Sequence, residues 1–244
     1  MDIRLKIWRQ EHPEQTGRWA SYTLENVSPR WSLLETLDQL NEQLIGTGQM
    51  PVAFESDCRE GICGSCGVLV NGVPHGQGGV TTCQVYMRRF RTGETLTLEP
   101  LPGFPVVRDL VVDRSALDRI MVRGGYISVN VGSAPEANSI PVPRHTAEQA
   151  FQAAACIGCG ACVAACPNHS AALFVGAKIT HLSLLPQGQP EAARRVQQMV
   201  AQMEAEGFGH CSNHGECAAV CPQGIPLTVI ARMRRQYWRS WGSG

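Results

Sequence analysis

The segment CREGICGSCG (residues 58–67) decides how the first half of this 244-residue chain is interpreted. Cys58, Cys63 and Cys66 lie within it, and Cys83 follows after sixteen intervening residues. This C-x4-C-x2-C…C spacing is typical of plant-type [2Fe–2S] sites. The three glycines of the segment let the chain wrap tightly and point backbone N–H groups at sulfur, and such hydrogen bonds help to set a reduction potential. We therefore predict a [2Fe–2S] cluster on these four cysteines.

A zinc site is the alternative for this first group of cysteines. Zinc motifs usually pair two C-x2-C knuckles, whereas this group has one four-residue gap and one distant cysteine. The colour of the purified protein distinguishes the two, because an iron–sulfur protein is brown and a zinc protein is colourless.

A second run of cysteines, CIGCGACVAACP (156–167), has the bacterial ferredoxin spacing C-x2-C-x2-C-x3-C-P. In two-cluster ferredoxins the fourth cysteine of such a run binds the other cluster. The spacing therefore predicts that Cys156, Cys159 and Cys162 share one cluster and that Cys166 reaches a second one.

A third run, CSNHGECAAVCP (211–222), repeats this spacing with His214 in place of the second cysteine. By the same crossing rule, Cys221 completes the first of the two bacterial-type clusters. The resulting four-thiolate set, which predicts a [4Fe–4S] centre, is Cys156, Cys159, Cys162 and Cys221. The three thiolates that remain, which predict a [3Fe–4S] centre, are Cys166, Cys211 and Cys217.

His214 has two interpretations. It could bind a fourth iron, because imidazole is an iron ligand, or it could fill the vacated space and hydrogen-bond a sulfide. We expect the second, and hence three irons. His210, next to Cys211, is interpreted as a polar neighbour of the site rather than a ligand.

The composition argues against several classes of protein. Basic and acidic residues each number 21, which disfavours a nucleic-acid binder, and 43% hydrophobic residues disfavour disorder. Eleven cysteines are an odd number, and the N-terminal MDIRLKIWRQ has no apolar signal-peptide core, so metal or redox chemistry is expected rather than disulfides. Residues 151–179 are apolar but repeatedly interrupted, so we expect no transmembrane helix.

The first half has the pattern of a small α+β unit. Residues 2–10 and 19–27 alternate apolar and polar side chains, which predicts two paired strands. Ser32 and Glu35 form a capping-box pattern that opens a helix ending near Gly46. An Asn-Gly turn in GVLVNGVPH (67–75) and a further alternation over 95–100 predict more strands. The stretch HGQGG (75–79) lacks the setting of a nucleotide-binding fingerprint and is predicted to be a flexible loop.

The second half has a helical pattern. Residues 106–122 begin extended and turn helical after Asp113, so we place a first domain at 1–113 and a second at 114–244. Residues 124–145 are rich in Gly, Ser, Asn and Pro and are predicted to be a connecting loop. Helices are predicted from residue 146, over 190–207 and over 227–241.

No substrate site accompanies the cysteine runs. The sequence has no convincing Ser–His–Asp set, phosphate-binding glycine loop or pair of acid–base carboxylates. Cofactors in series without a substrate site indicate a protein that carries electrons, one at a time, between partners.

The whole chain resembles the iron–sulfur subunit of succinate dehydrogenase and fumarate reductase. The resemblance rests on the three cysteine runs together with TTCQ (81–84) and FPVVRDLVVD (104–113), all in the family's order. It implies a β-grasp plant-type ferredoxin domain followed by an α-helical bacterial-type ferredoxin domain. It also implies that the chain is the electron-carrying subunit of that oxidoreductase and does not contain the dicarboxylate site.

The resemblance implies partners as well. They are a flavoprotein subunit with covalent FAD and a cytochrome-b-type membrane anchor with the quinone site, often with haem b. Electrons would run from the flavin through the [2Fe–2S], [4Fe–4S] and [3Fe–4S] centres to quinone, at the cytoplasmic side of the cell membrane. Succinate oxidation, as in the tricarboxylic acid cycle and respiratory chain, is the expected direction. The alternatives are a quinol:fumarate reductase and a ferredoxin-like shuttle of a related complex.

Two positions depart from the better-known members of the family. The residues after Cys166 and Pro167 are NHSA (168–171), where many members have a tryptophan that lines the quinone pocket. Ser212 stands where many have a histidine. These departures, and a longer loop before Cys83, resemble the branch with one cytochrome-b-type anchor, which often uses menaquinone.

The C-terminal segment RMRRQYWRSW (232–241) is basic and aromatic. Its residue types would suit a membrane surface with anionic lipid. We prefer the alternative, a solvated helix face that docks against a partner subunit.

Overall fold

A computed structural model describes residues 1–129, 132–133, 136–139 and 142–242. The chain forms two compact units. Unit 1 consists of Met1–Arg114, Ile157–Ala165 and Ala219–Pro222, and unit 2 consists of Ser115–Cys156, Cys166–Ala218 and Gln223–Gly244. Two short segments from the later cysteine runs therefore belong to unit 1. The division into folding domains after Asp113 stays a prediction.

Unit 1 contains a five-stranded sheet in the order β2-β1-β5-β3-β4. Its strands are β1 (Ile3–Arg9), β2 (Arg18–Leu24), β3 (Leu69–Val70), β4 (Val73–Pro74) and β5 (Thr95–Glu99). β1 pairs with β5 in parallel, and the other pairs are antiparallel. The apolar side chains that alternate along β1, Ile3, Leu5 and Ile7, lie on one face of the sheet and are completely buried. Asn71 and Gly72 form the predicted turn between β3 and β4, both with positive φ.

Helix α1 (Leu33–Gly46) completes the core of unit 1. The Glu35 N–H donates to Ser32 Oγ (3.3 Å), and the Ser32 N–H donates to the Glu35 carboxylate (2.6 Å), which confirms the capping box. The apolar face of the helix shares one hydrophobic core with the strands. The parallel pairing of β1 with β5 requires a crossover connection, and α1 lies within it. The α+β class is confirmed.

A second hairpin, β6 (Val106–Arg108) and β7 (Val111–Val112), is held by a buried carboxylate in its turn. Asp109 Oδ1 accepts from Arg9 Nε (3.1 Å) and from the Gln10 N–H (2.9 Å), and Oδ2 accepts from the Ala53 N–H (2.8 Å). The side chain is fully buried. Asp109 therefore joins three separate segments of unit 1.

Unit 2 is helical. Its main helices are α2 (Ser115–Gly124), α3 (Arg144–Ala154), α5 (Ala172–Leu184), α6 (Ala192–Ala205) and α8 (Thr228–Ser240). Two short helices lie within the cysteine runs: α4 (Ala161–Ala165) belongs to unit 1, and α7 (Glu216–Ala219) belongs to unit 2 except for its last residue. Helix α5 contacts α3, α6 and α8 and is apolar on nearly every side. A Cβ at Gly176 of α5 would lie 2.9 Å from the Val229 carbonyl of α8, so only glycine allows this backbone approach.

The segment after α2 is anchored rather than free where it is described. The fully buried Arg195 of α6 donates to the carbonyls of Gly124 (2.7 Å), Tyr126 (3.0 Å) and Gly188 (2.7 Å). Of the predicted loop over 124–145, residues 130–131, 134–135 and 140–141 lie outside the described residues, and α3 already begins at Arg144. No helix in the described part of the chain combines the length and hydrophobicity that a membrane span needs.

The loop over 75–79 differs from the flexible loop that was expected. His75 and Gly76 are buried, and Arg89 Nη1 donates to the Gln77 carbonyl (2.9 Å). Residue 75 has a left-handed backbone (φ 62°), and its ring lies against Thr82 next to Cys83. The buried ring of His75 holds the beginning of this loop in place, whereas residues 77–79 are exposed. The composition of the segment does not reveal this burial.

Candidate functional site

The first cysteine segment forms a turn that points backbone N–H groups at sulfur. Cys58 Sγ accepts from the N–H groups of Glu60 (3.3 Å), Ile62 (3.4 Å) and Cys63 (3.3 Å). These bonds, with that from Glu60 the strongest, lower the pKa of the partly exposed Cys58 thiol to about 7. Positive φ angles at Arg59, Gly61 and Gly64 produce the turn. The backbone therefore favours the thiolate, which is the form that binds iron.

Cys66 and Cys83 form the buried side of the same site. Cys83 lies in a 3₁₀ turn (Thr82–Gln84), and Thr81 Oγ1 is 3.2 Å from its Sγ. Burial, and secondarily charges on Cys83 and Cys63, raise the pKa of Cys66 to about 12. The structure thus brings the four cysteines of the first group into mutual electrostatic range. The set offers four thiol donors, as a [2Fe–2S] cluster requires.

The second run begins where α3 ends. Lys178 Nζ of α5 donates to the Cys156 carbonyl (2.7 Å). Gly158 and Gly160 have positive φ, and Cys159 is buried. Cys159, Cys162 and Cys221 belong to unit 1, whereas Cys156 is the last residue of a unit 2 segment. The four-thiolate set of these cysteines stays a prediction.

The third group lines one pocket of unit 2. Cys166, Cys211, Cys217 and His214 all line a partly open pocket, together with Leu173, Leu227 and Ile230. Burial raises the pKa of the Cys217 thiol, and charges on the other two cysteines raise it further. Three thiols and one imidazole therefore surround a common space, to which the second cysteine run contributes Cys166 and the third run the other three groups.

Polar contacts fix the rim of this pocket. Asn168 Nδ2 donates to the His210 carbonyl (2.9 Å) and to Ser212 Oγ (2.8 Å), and Arg234 of α8 donates to the Cys211 carbonyl (2.6 Å). Asn168 and Ser212 are two of the positions where the sequence departs from better-known relatives. They contact each other, so the two departures form one local arrangement.

The cysteine sets do not converge as the ligands of a single ion do. Among the described residues, no group of three or more His, Cys, Asp or Glu side chains is placed to hold one metal ion. In a [4Fe–4S] or [3Fe–4S] cluster each cysteine binds a different iron, and in a [2Fe–2S] cluster two cysteines bind each of two irons, so cluster ligands are spread around a larger body. The grouping of thiols and the donors aimed at Cys58 fit such clusters.

Three charged or titratable residues near these sites were missed by the sequence analysis. Arg114 bonds the first cysteine segment, Lys178 bonds the Cys156 carbonyl, and His75 is buried beside Thr82. None lies in a cysteine motif. Only Arg114 had a sequence signal, because it directly follows FPVVRDLVVD (104–113). That position does not indicate which residues Arg114 contacts.

Two family models match the chain. A 2Fe-2S iron–sulfur cluster binding domain matches residues 4–119, and a 4Fe-4S dicluster domain matches residues 152–225. The fold is similar to a chain of the Mycobacterium smegmatis Sdh1 complex in the apo form, with a TM-score of 0.72 and 23% identity over 98% of this chain and 97% of that one. At this identity the structural similarity speaks for the fold alone.

Curated relatives cover nearly the full length. The chain is 31% identical to the fumarate reductase iron–sulfur subunit of Escherichia coli, over 94% of this chain and 90% of that protein. It is 28% identical to the succinate dehydrogenase iron–sulfur subunit of Bacillus subtilis, over 96% and 91%. The chain therefore belongs to the family of iron–sulfur subunits of succinate dehydrogenase and fumarate reductase.

Proposed function

We propose that this chain is the electron-transfer subunit of a succinate:quinone oxidoreductase. It passes single electrons between the FAD of a flavoprotein partner and membrane quinone. The observation that carries the proposal is the distribution of all eleven cysteines into three sets, the last of which lines one pocket with three thiols. When bound, the [2Fe–2S], [4Fe–4S] and [3Fe–4S] clusters supply one-electron redox chemistry over a wide range of potentials.

The chain's own residues hold and insulate these groups. Cys58, Cys63, Cys66 and Cys83 would hold the [2Fe–2S] cluster. The four thiolates for the [4Fe–4S] cluster would be Cys156, Cys159, Cys162 and Cys221, and the three for the [3Fe–4S] cluster would be Cys166, Cys211 and Cys217. The backbone donors on Cys58 stabilise negative charge on sulfur, and the burial of Cys66, Cys83, Cys159 and Cys217 keeps water away.

His214 lines the pocket of the third set, and in the run it stands at the position of the missing second cysteine. We assign it the role of filling that side of the pocket, with three irons bound rather than four. The dicarboxylate site belongs to the flavoprotein in this proposal, and succinate oxidation to fumarate is the favoured direction. Quinol:fumarate reduction uses the same residues in reverse.

The other partner is a cytochrome-b-type anchor that holds quinone near the third set, with haem b in the anchor. Support comes from α8, which contributes Ile230 to the pocket and leaves Trp238 76% exposed and Trp241 67% exposed. Large aromatic side chains with arginines between them are typical of a docking surface. The subunit would then lie at the cytoplasmic side of the cell membrane, held by the anchor.

Low-temperature EPR of the purified complex tests the proposal. We expect an oxidised-state signal from a [3Fe–4S] centre that disappears on reduction, followed by a [2Fe–2S] signal. A sample without the oxidised-state signal and with two cubane centres on reduction would contradict the three-iron assignment and favour a ferredoxin-like shuttle. Cys221→Ser should damage the [4Fe–4S] centre and spare the [3Fe–4S] centre, whereas the opposite result would reverse the crossing assignment.

A further inference from the structure

Arg114 donates hydrogen bonds to the first cysteine segment from both terminal nitrogens of its guanidinium, Nη1 and Nη2. Nη1 donates to the Gly64 carbonyl (2.6 Å), and Nη2 donates to the Ser65 carbonyl (3.1 Å). Gly64 and Ser65 are the two residues between Cys63 and Cys66. The side chain is 19% exposed, so its charge is only partly screened by water.

The same guanidinium reaches the second cysteine run. Nη1 also lies 3.4 Å from the Cys159 carbonyl, and all of these residues belong to unit 1. One cation therefore touches the backbone beside ligands of two different predicted clusters. A lysine would keep the positive charge but lose part of this bonding, because only the planar guanidinium presents several donors in a fixed fork.

The two turns that Arg114 joins are in direct backbone contact. A Cβ at Gly64 would lie 2.9 Å from the Ile157 carbonyl and 3.0 Å from Cys159 Cβ, and φ at Gly64 is +77°. A Cβ at Gly67 would lie 3.3 Å from the Cys159 carbonyl. Glycine at these positions brings the turns together, and Arg114 bonds them at the point of contact.

We propose that Arg114 is a positioning residue that ties the two cysteine turns together and raises the reduction potentials of both centres. The inference rests on the proposed function, because it requires clusters at the two sites. Adding one electron at either site makes the local charge more negative by one, and a nearby guanidinium stabilises that added charge. Both centres should therefore be easier to reduce with Arg114 than without it.

Glu55 gives the proposal a second, opposite test. Its carboxylate accepts from Arg114 Nη2 (2.8 Å) and is 42% exposed, so it offsets part of the guanidinium charge. Removing the Glu55 charge leaves the cation less neutralised. The potentials should then move in the opposite direction from those of an Arg114 variant.

The experiment is an EPR-monitored redox titration of the purified complex with Arg114→Gln, Arg114→Lys and Glu55→Gln, together with iron content. Arg114→Gln should lower the equilibrium constant for one-electron reduction of the [2Fe–2S] and [4Fe–4S] centres about tenfold, which corresponds to a fall of about 59 mV in their potentials. The potential of the [3Fe–4S] centre should change least. Glu55→Gln should raise the same two potentials, and Arg114→Lys should stay near the wild type. Arg119→Gln is the control, since it removes the same charge from an arginine of unit 2 that is 54% exposed and pairs with Glu206.

Unchanged potentials in Arg114→Gln with full iron content would overturn the proposal. So would an equal fall in Arg114→Lys and Arg114→Gln, because the effect would then follow bonding geometry rather than charge. If Arg114→Gln fails to assemble, Glu55→Gln and Arg114→Lys still show in which direction the Arg114 charge moves the two reduction potentials. Failure of the proposed function would instead show in the wild type, as absent cluster signals before any variant is compared.

Discussion

The first and third cysteine groups are built in different ways. The first group lies mostly within nine residues, and its sulfur environment comes from the backbone of the same turn, as the three N–H groups on Cys58 show. The third group takes Cys166 from one segment and Cys211 and Cys217 from another, which begins 45 positions later, and the packed helices α5 and α8 contribute to their common pocket. A local site depends on its turn, whereas an assembled site depends on the fold around it.

The largest effect should come from Gly176, where α5 meets α8. In Gly176→Val, the new side chain would overlap the Val229 backbone, which cannot move without shifting α8. We expect a cost of about 3 kcal/mol and loss of the [3Fe–4S] signal, while the [2Fe–2S] signal persists. Iron content, EPR and thermal unfolding measure this outcome.

Gly46→Ala is the matched control, because a Cβ there meets nothing within 4 Å. It should leave all signals unchanged. Equal loss of the first and third signals in Gly176→Val would remove the contrast between a local and an assembled site.

The second prediction concerns unit 1. Asp109→Ala leaves Arg9 and two backbone N–H groups without their buried acceptor, which should cost about 3 kcal/mol. Chemical denaturation followed by the fluorescence of Trp8 and by cluster absorbance would report it. Asp38→Ala removes an exposed partner of Arg59 and should cost less than about 1 kcal/mol.

If Asp109→Ala caused early loss of the third cluster and spared the first, the two sites would not depend on their own units as argued. The same measurement therefore tests the comparison as well as the contact.

The third prediction is a pH dependence through His75. Burial, and secondarily the charge of Arg114, lower the pKa of the fully buried His75 to about 4 in the folded chain. The unfolded chain, with an ordinary pKa near 6.5, binds the proton first, so stability is constant above pH 6.5 and falls between pH 6.5 and 4. Between pH 7.5 and 5 the loss should be about 2 kcal/mol.

Thermal unfolding at the two pH values measures this slope, with His75→Asn as the comparison. Asparagine tolerates the left-handed backbone at position 75 and does not titrate. An identical slope in His75→Asn would show that other groups cause the pH dependence.

The smallest effect should come from the cap of α1. Ser32→Ala removes the Oγ acceptor of the Glu35 N–H and should cost about 1 kcal/mol. Denaturant titration should detect it without any change in cluster signals. A changed [2Fe–2S] potential would mean that the first site is less local than its hydrogen bonds indicate.

Much of unit 1 could be predicted from sequence because its signals are local. The alternation of apolar and polar residues predicted β1, β2 and β5. The capping box predicted the start of α1, and Asn71-Gly72 predicted the β3–β4 turn. Helix α5 was absent from the predicted helices because it is apolar on nearly every side, so it lacks the one-sided pattern that marks a surface helix.

The candidate sites show the same limit. Spacing sorts the cysteines into three groups, and in the structure the cysteines of the third group line one pocket. The contacts of Arg114 with Gly64 and Cys159 span 50 and 45 positions, and no periodicity encodes contacts at that separation. The ligand sets themselves stay predictions until the clusters are observed.

The assignment of Ala219–Pro222 to unit 1 has a consequence for synthesis. A ribosome makes this segment only after about nine-tenths of the chain has been translated. Unit 1 therefore cannot reach its final composition while the first half emerges, although its sheet and α1 are encoded there. A chain truncated before residue 219 would lack part of both units, so unit 1 matures only after translation has passed residue 222.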